Sequence, residues 1–255
     1  MVSIRSQEVC RTSRFAVSPA ISIRNFGAGS DSPMWQQQLQ DVLFLHWRVP
    51  QGVLRPLLPP ILSLDEFAGQ TWVSAVLLRM RVRLALLPIR TRWFDQINLR
   101  TYVRQGTNSG IWFFSVHANH HLAVATARLF TPVPYRFASI RYNYASAEKF
   151  MRAQCYSSCS LHFCVRFTVP SESGASDPLQ TWLLERYRLF TWHKRRLLLG
   201  KFQHPPWTIQ QVHVVSCQLQ AAPFDAAIFA RPPDLAHFSP GIMGEFGKFQ
   251  PLRPN

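Results

Sequence analysis

The chain has 255 residues, with 28 Lys+Arg against 13 Asp+Glu and a formal net charge of +15. Hydrophobic residues make up 47% and aromatic ones 13% against 16% charged, which excludes global disorder and predicts one globular domain with a substantial core. Scattered Gly and Pro exclude a collagen-like chain, and no apolar run approaches the ~20 residues of a membrane-spanning helix, so a soluble protein is expected.

Residues 1–33 are rich in Ser and Arg, with only Glu8 and Asp31 acidic. They are expected to be a disordered extension ahead of a single domain over residues 34–255. Their composition suits an organelle transit peptide or an upstream extension; the second is favoured because Met34 opens the globular pattern. Residues 42–49 predict a strand ending at Pro50, and 50–60 one or two helical turns bracketed by prolines. Strands are expected at 61–67 and 71–83, joined by a turn around Gly69, with Arg79, Arg81 and Arg83 alternating onto a solvated face. Residues 98–104 and 111–117 flank a Gly- and Asn-containing turn and form the clearest hairpin. Leu122, Ala125 and Leu129 predict a helix over 119–130, stopped by Pro132 and Pro134. Strands follow at 135–144 and 160–169. Asp177 and Pro178 then cap a helix carrying Leu179, Trp182, Leu183 and Tyr187. Short strands at 197–202, 212–219 and 234–239 complete an α+β, mainly antiparallel β chain built on a large sheet or barrel.

The basic excess is almost entirely Arg, since the lysines are Lys149, Lys194, Lys201 and Lys248 alone. Between residues 79 and 104 the only acid among seven Arg is Asp95, so an Arg-mediated binder of nucleic acid or acidic protein stands as an alternative. Nucleic-acid binding is not favoured, because helix-turn-helix punctuation and zinc-finger spacing are missing. Five cysteines, an odd count spread from Cys10 to Cys217, point to a reducing compartment, the cytoplasm, rather than a disulfide scaffold. Cys155, Cys159, His162 and Cys164 lack zinc-ligand spacing, and strand alternation puts His162, Cys164 and Arg166 on one face. His117 and His121 would share a face only within a helix, so no metal site is expected.

Several short motifs recur in one order. They are residues 42–47 (VLFLHW), 54–60 (LRPLLPP), 98–103 (NLRTYV), 110–115 (GIWFFS), 133–135 (VPY), 185–189 (ERYRL), 204–207 (HPPW) and 237–241 (HFSPG). Together they resemble the YqjF-like family, the domain of unknown function 2071, which is similar to the acetoacetate decarboxylase superfamily. The resemblance implies a cone-shaped antiparallel β-barrel with flanking helices, a small-molecule pocket, and assembly into homo-oligomers. Acetoacetate decarboxylase forms a Schiff base on a desolvated lysine beside a second cation. The corresponding stretch here resembles Pro134-Tyr135-Arg136, where a phenol and a guanidinium replace the lysine pair. Schiff-base decarboxylation is therefore not expected, and no cofactor is implied.

A small anionic or carbonyl ligand is the expected occupant. Asn98, Arg100 and Tyr102 share one side of their strand, so they present donors together. Ser115 on the partner strand, Tyr135, Arg136, Glu185 and His204 complete the expected lining. Glu185 and Arg186 are expected to open a helical segment and to pair across to Arg100 or Arg136, as a structural ion pair or a functional one. His117 stands where the family usually carries an acid and is expected to raise the pocket's positive potential. Trp47, Trp112 and Trp207 are expected in the core. The alternative within the same pocket is a lysine-independent lyase or hydrolase-type enzyme with Tyr135 and His204 as acid and base.

Overall fold

A computed structural model describes residues 33–84, 90–142, 150–152, 161–169 and 177–252, all within one compact unit, Ser32–Asn255. Cys155, Cys159, nearly all of the expected extension and most of the 171–177 loop lie outside the described residues. In chain order the elements are β1 (Trp35–Arg48), α1 (Gln51–Leu54) running into a 3-10 turn (Arg55–Leu57), β2 (Ser63–Leu64) and β3 (Trp72–Leu84). Then come β4 (Phe94–Gln105), β5 (Asn108–Ala118), α2 (His121–Phe130), β6 (Tyr135–Phe137), β7 (Arg141–Tyr142), β8 (Phe150–Arg152) and β9 (Leu161–Thr168). The chain ends with α3 (Pro178–Leu184), β10 (Arg188–His193), β11 (Arg196–Gln203), β12 (Gln210–Gln211), β13 (His213–Ala221), β14 (Leu235–Phe246) and β15 (Gln250–Pro251).

The principal sheet runs β14-β1-β3-β4-β5-β10-β11 and returns to β14, closing a cone-like ring of strands. Its long pairings are antiparallel: β1 with β14 and with β3, and β4 with β3 and with β5. Two seams are short. β10 meets β5 in parallel through Leu189↔Ile111 and Phe190↔Trp112 only, and β11 meets β14 through Phe202↔Phe246 and Gln203↔Glu245 only. A second sheet, β13-β9-β8-β7, packs on the outer face. Its Phe163, Val165, Phe167 and Leu219 join one core with Leu43, Leu45, Leu77 and Leu99 of the ring. The inner face forms the other core, in which Phe44, Val76, Met80 and Phe94 meet Val124 of α2 and Leu183 of α3. Ring strands buried on both faces lose the polar/apolar alternation of a half-exposed sheet, which is why residues 42–47 read as a nearly unbroken apolar run, whereas β4 keeps an alternation because its polar residues face the interior.

Two bulges set which side chains face inward. In β1 the pairing slips between Gln40 and Leu43, with Asp41 in the left-handed region at φ 53°. The extra residue lets Gln37 and Leu39 before it, and Val42 and Phe44 after it, all reach the interior. In β5 the slip lies opposite Leu99/Arg100. Ile111 and Phe113 consequently face inward, while Ser115 and His117 stand opposite Leu99 and Ile97, which belong to the outer core.

The expected hairpin, the helix over α2 and the alternation of β9 match the structure, His162 and Arg166 being exposed on one face. Three expectations need correction. Residues 135–144 are not one strand: β6 adds to β5 in the ring and β7 to the second sheet. Only Ser63–Leu64 of residues 61–67 is a strand. Asp177 does cap α3, its Oδ1 accepting from the Gln180 N–H at 2.7 Å, but the helix stops at Leu184 and Tyr187 precedes a strand.

Gly241 pairs with Gln40 beside the β1 bulge and holds φ +141°, where a Cβ would lie 2.2 Å from the Leu39 backbone carbonyl oxygen. Backbone cannot yield as a flexible side chain does, and the conformation itself disfavours L-residues. Gly241→Ala is expected to cost about 2 kcal/mol or more in urea unfolding; an unchanged midpoint would show that β1 and β14 separate there at little cost.

Candidate ligand site in the ring interior

The interior encloses a cavity of about 620 Å³. β1 and β3 give it an apolar wall of Leu39, Val42, Phe44, Val76, Leu78 and Met80. α2 lies across one end, with Ala123, Thr126, Ala127 and Phe130 on the cavity. β4 contributes the polar face. The period of two that sets Phe94 inward also sets Gln96, Asn98 and Arg100 inward, and all three polar side chains are buried.

Arg100 is 8% exposed. Its Nη2 donates to the Leu183 carbonyl at 3.4 Å, its guanidinium carbon lies 5.7 Å from the Phe44 ring centre and 5.9 Å from that of Tyr102, and its Nε is buried without a hydrogen-bond partner among the described residues. Asn98 Oδ1 and Gln96 Oε1 are likewise unpartnered there. Arg186, reaching the same cavity, is differently placed. Its Nη1 lies 2.7 Å from Asp65 Oδ2, its Nε donates to the Trp182 carbonyl, and its guanidinium covers the rings of Trp182 at 4.1 Å and Tyr102 at 5.0 Å. Arg186 has a counter-charge. Among the described residues no carboxylate pairs with Arg100, and no Asp or Glu lines the cavity.

Tyr102 is wholly buried behind Arg100 and outside the lining. Its hydroxyl lies 2.6 Å from Ser74 Oγ, which lies 2.7 Å from His46 Nδ1, so one hydrogen-bonded chain crosses β4, β3 and β1. Tyr135 does line the cavity; burial pushes its phenol up to about 12, which keeps the hydroxyl protonated. Arg136 points the other way into solvent, and Ser115 lies on the outer-core face, so neither lines the cavity.

Glu185 also lies outside the lining, and it closes α3 rather than opening a helix, its N–H bonding to the Thr181 carbonyl. Its carboxylate pairs with neither Arg100 nor Arg136: Oε1 accepts from the Trp207 N–H at 2.9 Å and Oε2 from the Tyr187 hydroxyl. Tyr187 in turn stacks on His204 with ring centres 4.6 Å apart. The 185–189 and 204–207 motifs are thus one structural lock. Within it His204 lines the cavity, but its Nδ1 donates to the Pro205 carbonyl at 2.8 Å and burial lowers its pKa. Trp47 is in the outer core, Trp112 packs against it, and Trp207 meets Phe44 edge-on at 5.2 Å on the cavity wall. Gln96 was legible as the upstream continuation of the Asn98/Arg100 face. Arg188, a further lining residue, was not, because the helix was expected to run through Tyr187.

His117 does not raise the potential of the cavity. It is buried on the outer face, and burial with the nearby Arg136 charge lowers its pKa to about 4. His237 falls to about 4 chiefly through burial. His46 is driven well below its usual value by burial, then by His237 and Arg100. All three, with His204, are neutral in the fold at pH 7. In the unfolded chain they take up protons below about pH 6.5. Their contribution to stability is therefore complete above that pH and is lost as pH falls toward the folded values, by up to ~1.4 kcal/mol per unit for each group. Melting temperature should be flat from about pH 8 to 7 and drop steeply from about 6.5 to 4.5, less so in His117→Leu. A flat profile through pH 5 would mean these imidazoles carry charge in the fold.

Solved structures similar to this chain share the cone. An acetoacetate decarboxylase-like enzyme from Sphingomonas wittichii aligns with a TM-score of 0.60 at 15% identity, covering 88% of this chain and 95% of the other. Acetoacetate decarboxylase from Legionella pneumophila aligns with 0.60 at 14%, covering 99% and 98%. The enduracididine biosynthesis enzyme MppR complexed with pyruvate aligns with 0.60 at 12%, covering 89% and 93%. At such identities the likeness shows the fold. In sequence, the uncharacterized protein YqjF of Bacillus subtilis is 36% identical over 185 residues, 69% of this chain and 74% of that protein. With the model of an uncharacterized conserved protein family, DUF2071, also matching residues 36–243, the chain belongs to the DUF2071, YqjF-like family.

Proposed function

We propose that the ring interior binds a small organic anion or carbonyl compound, with Arg100 as its principal contact. The observation that carries this reading is a buried guanidinium facing a cavity with no carboxylate partner among the described residues. An uncompensated buried charge costs several kcal/mol, and a ligand carboxylate would both neutralise it and satisfy its fork of donors. Asn98 and Gln96 stand on the same strand face, and either side-chain amide can turn its N–H or its oxygen to a ligand carbonyl or hydroxyl. The pyruvate carried by one structural neighbour is a ligand of this chemistry on the same fold.

Imine formation is not part of the proposal. Among the described residues no lysine lines the cavity, and the phenol of Tyr135 cannot condense with a carbonyl. Tyr135/His204 acid–base catalysis is the second reading: both side chains line the cavity, the Tyr135 hydroxyl can donate, and the Nδ1–H bond from His204 to the Pro205 carbonyl leaves Nε2 as the ring's acceptor. Tyr102, Ser115, Arg136 and Glu185 act in both readings as framework rather than contacts. An external arginine stripe is less supported, since Arg100 points inward, Arg79 faces Asp95 at 3.3 Å and Arg81 donates to Gln38 at 2.7 Å.

Pyruvate, acetoacetate and longer keto acids at ~100 times their dissociation constant should add roughly 2.7 kcal/mol to stability. Arg100→Met should abolish that gain while raising the stability of the empty protein by about 1 kcal/mol, because a desolvated charge is removed; Arg100→Lys should retain part of the gain. Keto acids that leave the melting curve unmoved, or move Arg100→Met as they move the parent, overturn the anion site. Incubation with pyruvate and borohydride should give no covalent adduct by mass, whereas an adduct mapped to a lysine would establish imine chemistry and overturn this reading.

A further inference from the structure

We infer that the preferred ligand is an amphiphilic carboxylic acid, its head at Arg100 and its hydrocarbon tail lying along the β1–β3 wall toward an exit beneath α2. This rests on the anion site proposed above and adds the substrate class.

Polarity inside the ring is graded along the strands. At the level of Arg100 the paired residue on β3 is Ser74, itself paired with His46 on β1, so the ring is polar there. One pleat on, Asn98 pairs with Val76, which pairs with Phe44; Gln96 then pairs with Leu78, and Phe94 with Met80, which pairs with Leu39, so the β1–β3 side of the wall is apolar while β4 stays polar as far as Gln96. From Arg100 to Phe94 the strand advances ~20 Å. A three- or four-carbon keto acid held at Arg100 would leave most of that length, and most of a cavity of about 620 Å³, bare of contact.

The apolar end opens to solvent, as does the wall at the exposed lining residue Arg188. Leu122 and Phe130 line the cavity and yet are 71% and 57% exposed. Side chains that do both stand at a mouth. A mouth for a small hydrophilic acid gains nothing from large apolar rims, which are costly to hydrate, whereas a tail passing between them is desolvated on entry. Between mouth and head the described lining offers no counter-charge to a cation.

The experiment is calorimetric titration of the full chain with straight-chain carboxylates from butanoate to dodecanoate below micelle-forming concentration, with decanol as the uncharged control. Affinity should tighten about fourfold per added methylene until the chain fills the cavity, then level off. Decanol should bind far more weakly than decanoate. Thr126→Trp, which places an indole in the tail's path under α2, should move the levelling point to shorter chains, and Arg100→Met should bring decanoate down to decanol. If decanoate binds no better than butanoate while both depend on Arg100, the amphiphile inference fails and the anion site stands. If neither acid binds, the anion site itself fails, and the inference with it. Equal binding of decanol and decanoate would overturn the assignment of the head to Arg100.

Discussion

The central strands of the ring, over Val42–Trp47 of β1, Trp72–Leu78 of β3 and Phe94–Val103 of β4, are buried on both faces, and the rest of the molecule follows from that double burial. A strand so placed has no solvated face on which to put polar groups. Each polar side chain in it must find a partner within the protein or in something the protein encloses. Asp65 with Arg186 and the His46–Ser74–Tyr102 chain are solutions of the first kind. Gln96, Asn98 and Arg100 leave an acceptor or donor without a partner among the described residues, and they stand together on a strand face that borders the cavity.

Arg100 and Arg186 show how little separates framework from contact. Both guanidiniums lie within 6 Å of the same Tyr102 ring. Arg186 is closed by a carboxylate, a carbonyl and an indole face, so its charge is spent on tying α3 to the segment that holds Asp65. Arg100 has one long hydrogen bond to a carbonyl and two aromatic rings, which orient it without neutralising it. Orientation without neutralisation is what an anion site requires, because the enclosing groups must not compete with the ligand for the charge.

How much was legible follows from the range of each interaction. The hairpin of β4 and β5, the Asp177 cap and the outward face of β9 are decided within a few residues, so spacing and turn chemistry suffice to read them. The inward pointing of Asn98 and Arg100 was also readable, since it needs only the period of a strand. Ser115 was placed wrongly by the same rule, because a bulge between it and Phe113 reverses the count, and nothing local in Ile111-Trp112-Phe113-Phe114 marks where the pleat slips. Glu185 was recognised as notable but given the wrong task. Its partners, Tyr187 and the Trp207 amide, are set by where α3 ends, and that depends on β10 joining the ring. The Asp65–Arg186 pair, joining residues far apart in the chain, left no trace in the pattern.

The hairpin of β10 and β11 is bound firmly within itself, through pairs from Arg188↔Lys201 to His193↔Arg196, but is joined to β5 and to β14 by two residue pairs each, with the short β15 adding two more along β11. It resembles a single stave in a cask whose other joints are glued along their full length. Local opening favours the units with the fewest bonds to break, so this stave is the natural place for the cask to breathe. Since it carries Arg188, Leu189 and Phe202 of the inner wall, such breathing would enlarge the chamber from the side while leaving the Arg100 strand and its neighbours in register.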